Sequence, residues 1–220
     1  MTSILSTADG LNAALGLIII TDLALLGAER QRLSIRLIAN QGVLLGLVPV
    51  LAYNGTPDMY LIAVSAIFLI IKGVILPLLL RRTHRQLPSQ QLPKPYLGYS
   101  ACALLGIIGF ALSLWIGGRL GIAANPLFSQ VFPIGMATIF TGLLLIVSRK
   151  EVLSQLFGYL VLENGIFLLG APMAEQESFW LELSILLDIM VAVFVMGIAI
   201  HHINRAFHST YVDHIASLKD

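Results

Sequence analysis

Long stretches of apolar residues, separated by short polar segments, dominate this chain. A helix that crosses the hydrocarbon core of a bilayer needs roughly 20 mostly apolar residues. Seven stretches meet this requirement, at about 8–28, 34–53, 59–80, 97–117, 128–148, 152–170 and 178–203. Strands of a membrane β-barrel would instead alternate in polarity over about 10 residues, and these stretches are continuously apolar. The pattern therefore predicts an all-α integral membrane protein with seven transmembrane helices.

The predicted connections contain residues that interrupt helices. The first clear interruption is Asn54–Asp58, which includes Pro57, and the longest is a polar loop from Arg81 to Tyr96. We expect a single membrane domain over residues 1–220. Its predicted parts are helices 1–3 (8–80), a basic loop with a spacer fourth helix (81–127), helices 5–7 (128–203) and a cytoplasmic tail (204–220).

Composition supports a membrane protein and excludes other classes. The chain is 57% hydrophobic and 11% charged, whereas ordinary globular domains carry about 25% charged residues. The single cysteine, Cys102, excludes a secreted disulfide scaffold, and a net charge of +1 without a basic face disfavours nucleic-acid binding. The first ten residues contain no lysine or arginine, so we interpret the first apolar stretch as a retained helix rather than a cleaved signal peptide.

The distribution of basic residues predicts the orientation in the membrane. Cytoplasmic loops carry an excess of lysine and arginine. All such residues except Lys72, which lies within a stretch, and Arg119 fall on one side: Arg30, Arg32, Arg36, Arg81, Arg82, Arg85, Lys94, Arg149, Lys150, Arg205 and Lys219. We therefore expect a multi-pass protein of the cytoplasmic (inner) membrane with its N-terminus outside and its C-terminus in the cytoplasm.

Three ionisable residues lie near the middle of predicted helices: Lys72, Glu163 and Asp188. A charge at the bilayer centre costs at least about 2.5–3.5 kcal/mol on insertion scales, so such residues normally face protein or water. At 1.5 Å per residue, each of the three falls roughly 12–16 Å from a membrane face. Two acids and one amine at this depth suit a proton relay, and they equally suit a static ion pair that locks helices together.

Other polar residues within the apolar stretches are weaker candidates. Asp22 lies near the inner end of helix 1, where it could join a proton path or pair with the loop arginines. Glu182 lies one turn inside the outer end of helix 7, within reach of water. His201 ends the same helix, where a cation suits the helix dipole and where histidine could also shuttle protons. His84 is interpreted as an exposed loop residue.

Uncharged polar residues occur at membrane depth as well. Asn40, Gln41 and Asn164 could either bond across helices or line a water path. Metal-site and nucleotide motifs such as CxxC, HExxH or a P-loop do not occur in the sequence. We therefore expect no catalytic residue, cofactor or metal site in this chain.

Two parts of the sequence resemble one another. Asn40–Leu45 is similar to Glu163–Leu168, and in both parts a basic loop opens the helix. The helix that follows each part carries one buried charge, Lys72 in the first and Asp188 in the second. With helix 4 as a spacer, this predicts a parallel 3+1+3 repeat of the kind found in transport folds. Apolar helices also resemble one another by chance, and the sequence leaves both explanations open.

A family resemblance covers essentially the whole chain. Its most specific part is Ile146–Arg149 followed by Gln155–Gly165, with the run Phe-Gly-Tyr and then Glu-Asn-Gly. This resembles hydrogenase-4 component E, the small membrane subunit of group 4 nickel–iron hydrogenases and formate hydrogenlyase-type complexes. Weaker similarity extends to the surroundings of Lys72, the surroundings of Asp188, and the tail Ala216–Lys219.

Helices 5–7 also look like the three-helix K-type subunit of complex I, whose buried glutamates lie on a proton path. Gly158 and Asn164 match that subunit well. Its first glutamate sits about one turn earlier, opposite Leu160, so Glu163 is a displaced counterpart on roughly the same helix face. Asp188 stands where the second glutamate would be. These two departures leave the exact proton route open.

The resemblance implies a membrane-arm subunit of a group 4 hydrogenase or complex I-like respiratory complex. In this interpretation Glu163 and Asp188 carry protons or assist sodium movement, Lys72 is their charged partner, and Asn164 orients water or the Glu163 carboxylate. The expected partners are antiporter-like subunits, a quinone- or hydrogenase-anchoring membrane subunit, and peripheral hydrogenase subunits that hold the nickel–iron centre and iron–sulfur clusters. The alternatives are a structural scaffold without ion conduction and an independent secondary transporter.

Overall fold

The computed structural model describes residues 2–53, 58–86, 95–119 and 126–170, and a few residues beyond them (172, 186, 189–193 and 197). This described part is helical and contains no strand. Its helices are α1 (Thr2–Gly27), α2 (Gln31–Ala52), α3 (Met59–Ile70), α4 (Leu76–Gln86), α5 (Tyr99–Arg119), α6 (Pro126–Ser148) and α7 (Val152–Gly170). A π-helical segment, Ile71–Ile75, joins α3 to α4 without a break. The described part thus has six helices long and apolar enough to cross a membrane.

These six spans confirm the first six predicted transmembrane helices and correct their limits. The first span, Asp9–Gly27, agrees with the predicted stretch of 8–28 and lies within a helix that already begins at Thr2. The third span continues to Gln86, so the prediction of a loop from Arg81 was wrong, and His84 is a half-buried helical residue. The basic residues extend the helix because cations at a helix C-terminus interact favourably with its dipole. Most of the seventh predicted helix, 178–203, lies outside the described residues; within it, 189–193 are helical.

The third span widens at its centre. The Leu76 amide donates to the carbonyl of Ile71, five residues earlier, instead of to the usual fourth residue. Pro77 follows and has no amide hydrogen to continue the ladder, which accounts for the local change in winding. Single π-helical turns within α-helices occur frequently at functional sites, and this one contains Lys72.

Glycines allow two pairs of helices to pack backbone against backbone. A Cβ atom on Gly142 of α6 would lie 2.4 Å from the Leu162 nitrogen of α7, and one on Gly158 would lie 2.8 Å from the Gly142 carbonyl oxygen. A Cβ on Gly42 of α2 would lie 2.5 Å from the carbonyl oxygen of Lys72. Small residues at such crossings let membrane helices approach closely. Both close contacts involve a helix that carries a buried charged residue.

Buried apolar side chains form two separate clusters along the bundle. The first surrounds the C-terminal end of α1 and the N-terminal ends of α2 and α7, with Leu25, Ile38 and Val161 among its members. The second surrounds the opposite half of these helices, with Ile18, Leu45 and Phe167 among its members. In α1, α2 and α7, the buried polar residues Asp22, Gln41 and Glu163 lie between the two clusters. The bundle therefore has a polar layer enclosed by apolar layers on both sides.

Candidate functional site

The centre of the polar layer is an ion pair between distant parts of the chain. Lys72 Nζ lies 3.2 Å from Glu163 Oε1. Their side chains are only 3% and 2% exposed, respectively. Because an isolated charge in an apolar interior is very costly, each charge makes the burial of the other possible. The pair joins the π-helical segment to α7.

Hydrogen bonds extend this ion pair through two side-chain amides. Lys72 Nζ also donates to Asn164 Oδ1 at 3.2 Å, and Asn164 Nδ2 donates to Gln41 Oε1 at 3.1 Å. Gln41 Nε2 in turn donates to Asp22 Oδ1 at 2.8 Å. The Thr138 hydroxyl donates to the other carboxylate oxygen of Asp22 at 2.7 Å. The six residues form one hydrogen-bonded chain, here called the buried network.

The buried network draws on five helical segments at comparable depth. Gln41 lies ten residues from the start of α2 and Glu163 eleven residues from the start of α7, or roughly 15–16 Å at 1.5 Å per residue. Gly42 and Gly165, which follow the two amide residues, have no side chain to hold the helices apart. The Phe167 ring lies 5.8 Å from Lys72 Nζ, a distance at which the ring face attracts a cation. The helices thus hold the network on a rigid frame.

The structure brings several of the predicted site residues together. Lys72, Glu163 and Asn164 are in direct contact. Asp22 belongs to the same network through Gln41, and its partners are Gln41 and Thr138, so the alternative that it pairs with the loop arginines was wrong. Asp188, Glu182 and His201 lie outside the described residues.

Two members of the buried network were not among the predicted site residues. Gln41 could have been found from the sequence, because it is a polar residue within an apolar stretch. Thr138 gave none, because a threonine in a membrane helix commonly bonds to its own backbone. Its hydroxyl does lie 2.9 Å from the Ile134 carbonyl oxygen as well as near Asp22. Only the tertiary structure shows that Thr138 also bonds to Asp22, in addition to the backbone of its own helix.

Arg149 has a structural role that the count of basic loop residues did not show. It is buried, and its Nη2 donates to the carbonyl oxygens of Leu26 and Ala28, at 3.1 and 3.5 Å. Its guanidinium lies 4.3 Å from the centre of the Tyr99 ring. Arg149 therefore satisfies carbonyls at the end of α1, which helical bonds leave open, and ties α1, α5 and α6 together at one end of the bundle.

The chemistry available in the buried network is that of charge and hydrogen bonding. It offers two carboxylates, one amine, two amides and one hydroxyl. No group of three or more histidine, cysteine, aspartate or glutamate side chains that could hold a metal ion occurs within the part of the chain that the structure describes. Titratable groups enclosed in protein at membrane depth are typical of proton relays, ion pathways and charge pairs.

A helical bundle with charges buried between its spans defines a multi-pass membrane protein with an intramembrane polar network. Residues 131–220 match the family described as NADH-ubiquinone/plastoquinone oxidoreductase chain 4L. Hydrogenase-4 component E of Escherichia coli K12 is 27% identical over 209 residues, which cover 94% of this chain and 96% of that protein. The protein of the same name from Shigella flexneri gives the same values.

An uncharacterized protein of Mycobacterium tuberculosis is 26% identical over 208 residues, or 94% of each chain. No solved structure matches the chain. These comparisons confirm the resemblance drawn from the sequence. The chain is similar to hydrogenase-4 component E over nearly its whole length, and residues 131–220 are similar to the chain 4L, or K-type, subunit of complex I.

Proposed function

We propose that this protein is a membrane subunit of a multisubunit respiratory complex, of the group 4 hydrogenase or complex I-like type. Its buried charges contribute to the movement of protons, or of sodium ions, coupled to electron transfer in partner subunits. The comparisons support the class of complex. The observation that carries the ionic role is the Lys72–Glu163 pair, enclosed between helices at mid-membrane depth and joined by hydrogen bonds to a second carboxylate, Asp22.

In this proposal each residue of the site has a distinct role. Glu163 carries the ion or proton, Lys72 is its charged partner, and Asn164 orients both. Asp22 is a second titratable group at the other end of the buried network. The sequence adds Asp188 as a further carrier and Glu182 and His201 as possible entry or exit groups. These three rest on the sequence and on the resemblance to the K-type subunit.

We also propose which membrane the protein occupies and which subunits are its partners. The protein lies in the cytoplasmic (inner) membrane with its N-terminus outside. Antiporter-like subunits and a quinone- or hydrogenase-anchoring subunit are its membrane neighbours. Peripheral hydrogenase subunits hold the nickel–iron centre and iron–sulfur clusters. The cofactor chemistry belongs to those partners, and this chain supplies the charged groups within the membrane.

We also propose that the chain is a parallel 3+1+3 repeat within a single membrane domain. Gln41 and Asn164 occupy matching positions in the two similar sequence stretches. The hydrogen bond between these two amides supports a two-fold relation whose axis passes between α2 and α7. A contact between equivalent residues at equal depth is what an axis along the membrane normal produces.

The second candidate function is that of a structural scaffold, and a specific observation favours it. Apolar clusters pack on both sides of the buried network, and its ion pair joins two helical segments that are distant in sequence. A static ion pair would then serve to fix helices against one another. The two functions differ in whether transport depends on the charge or only on the fold.

Neutral substitution in the assembled complex separates these functions. Glu163→Gln keeps the size and an acceptor oxygen of the side chain but removes its charge. We expect this variant to assemble with its partners while proton or sodium transport, measured in membrane vesicles during electron transfer, falls at least tenfold. The matched control is Glu29→Gln, the same change at an exposed loop position, and it should transport normally. Full transport by an assembled Glu163→Gln complex would support the scaffold instead.

A further inference from the structure

The hydrogen bonds that run from Lys72 through Asn164 and Gln41 to Asp22 all point in the same direction. An ammonium group can only donate and an ionised carboxylate can only accept. Lys72 therefore requires the oxygen of Asn164, which leaves the Asn164 nitrogen to donate to Gln41. Gln41 must then present its own nitrogen to Asp22. The charged residues at the two ends thus fix the orientation of both amides.

The same geometry also fits the opposite direction. A half-turn of a side-chain amide exchanges its oxygen and nitrogen without changing its shape. If Asp22 takes up a proton, its hydroxyl can donate to the oxygen of Gln41, whose nitrogen then donates to Asn164. The Asn164 nitrogen would finally point at Lys72 and Glu163. A protonated lysine offers no acceptor for it, whereas a neutral amine or a carboxylate does.

We propose that Gln41 and Asn164 are positioning residues that turn together and thereby couple the protonation of Asp22 to the charge state of the Lys72–Glu163 pair. This coupling rests on the proposed function and adds to it a mechanism by which the two titratable sites affect one another. The two amides transmit orientation rather than protons, because an amide N–H is too weak an acid to pass its hydrogen on. Polarised chains of hydrogen bonds in a low-dielectric interior favour such cooperative reversal.

The proton balance at each end is explicit. At one end, a proton from outside the network binds Asp22 and forms an O–H bond. At the other end, the reversed amides favour loss of a proton from Lys72 Nζ. An N–H bond breaks there and an O–H bond forms on Glu163 across the 3.2 Å contact. The Lys72 and Glu163 side chains both become uncharged with no change in their summed charge, Asp22 loses its charge by taking up the external proton, and no oxidant or reductant takes part.

Few other charged groups could produce the same coupling. Among the described residues, the buried charged side chains besides Asp22 are Lys72, Glu163 and Arg149. Arg149 lies at the C-terminal end of α1, against Leu26. Cys102, on the helix that packs beside Leu26, belongs to the same apolar cluster. The groups that contact Asp22 from α2 and α6 are Gln41 and Thr138, neither of which titrates.

Infrared difference spectroscopy of the purified full chain in lipid nanodiscs tests this coupling. The carbonyl band of protonated Asp22 is identified by its loss in Asp22→Asn, and its intensity is followed against pH. Lys72→Met removes the group that fixes the amides, so Asp22 should take up its proton at a pH about one unit higher, a tenfold change in proton affinity. In a Gln41→Met background, the same Lys72→Met change should shift the titration by less than a third as much.

Two control variants distinguish coupling through the amides from other effects on Asp22. Thr138→Val removes a hydrogen bond to Asp22 that lies outside the amide chain, so the full effect of Lys72→Met should persist in that background. Asn164→Leu interrupts the chain at its other amide and should reduce the effect to less than a third, as Gln41→Met does. An equal shift with and without Gln41 means direct electrostatic interaction through space and overturns the proposal. The proposal is also overturned if Lys72→Met leaves the pH at which Asp22 takes up its proton unchanged. The infrared experiment measures protonation of Asp22 and not ion transport. Failure of the coupling and failure of the proposed function can therefore be told apart.

Discussion

At the scale of single residues, the buried charges impose the strictest requirement on this protein. Lys72 and Glu163 are 91 positions apart in the sequence and contact one another inside the bundle. Each is tolerated at membrane depth because the other is there. Removal of one partner of a buried pair typically costs about 3–5 kcal/mol, whereas replacement of both by apolar residues is often neutral.

We therefore expect Lys72→Met to lower the stability of the protein by about 3–5 kcal/mol, since it leaves the Glu163 carboxylate without its cation. The double variant Lys72→Met/Glu163→Met should recover most of this loss. Unfolding in mixed detergent micelles, monitored by circular dichroism, measures both. Additive losses in the double variant would mean that the two side chains contribute independently and would contradict the buried pair.

Two substitutions of Asp22 separate the effect of its hydrogen bonds on stability from the effect of its charge. In Asp22→Asn, an acceptor oxygen remains in place, so the change in stability should stay below about 1 kcal/mol. Asp22→Leu leaves the Gln41 amide without its acceptor and should cost about 1–3 kcal/mol. The Thr138 hydroxyl retains the Ile134 carbonyl in both variants. The same unfolding assay compares the two, and equal losses would show that the hydrogen bond to Gln41 contributes little.

At the scale of helices, glycine positions and the π-helical segment determine which faces meet. Small residues permit α6 and α7 to touch along their backbones, so that Gly142 faces Leu162 directly. The π-helical turn gives Lys72 its place opposite α7 while Gly42 of α2 lies against the Lys72 backbone. These contacts belong to the helices as pairs, since no single helix has a face that would specify them.

A pair of glycine substitutions tests this packing. Gly142→Ala places a methyl group against the backbone of α7 and should destabilise the protein by about 1–3 kcal/mol or more, the usual cost of overpacking. Gly16→Ala is the matched control, because a Cβ at Gly16 of α1 meets nothing within 4 Å. There the better helix propensity of alanine should leave stability unchanged or raised by up to about 1 kcal/mol. Thermal unfolding of both variants decides the matter; a harmless Gly142→Ala would refute the close crossing.

At the scale of the whole molecule, polar and apolar layers alternate along the bundle. The buried network lies between the two apolar clusters, and Arg149 closes one end by binding the carbonyls of α1. Within the described residues, buried apolar side chains pack on both sides of the charged groups.

The proposed orientation is tested by labelling introduced cysteines in intact cells. Cys102 is buried and is first replaced by serine. Glu29→Cys and Asp58→Cys then place single thiols at exposed positions on opposite ends of α2. A membrane-impermeant maleimide should label Asp58→Cys from outside the cell, and Glu29→Cys only after the membrane is opened. The reverse pattern would invert the topology deduced from the basic loops.

The sequence by itself determined the class of protein and the number and approximate limits of the first six spans. It could do so because the length of an apolar stretch and the polarity of its flanks are local properties. It also singled out Lys72, Glu163 and Asn164, since a charged or amide residue among apolar ones is costly wherever the helix faces. The end of the third span at Gln86 was missed because helix length there depends on favourable end effects that composition does not show.

Only the tertiary structure decided which of these residues meet. The spans are apolar on all sides, so no periodic pattern distinguishes a face that contacts protein from one that contacts lipid. The pairing of Lys72 with Glu163, the place of Gln41 between two charged ends, and the second hydrogen bond of Thr138 all depend on contacts between helices distant in sequence. Those contacts follow from close glycine packing and one widened helical turn, which act only when the helices are assembled.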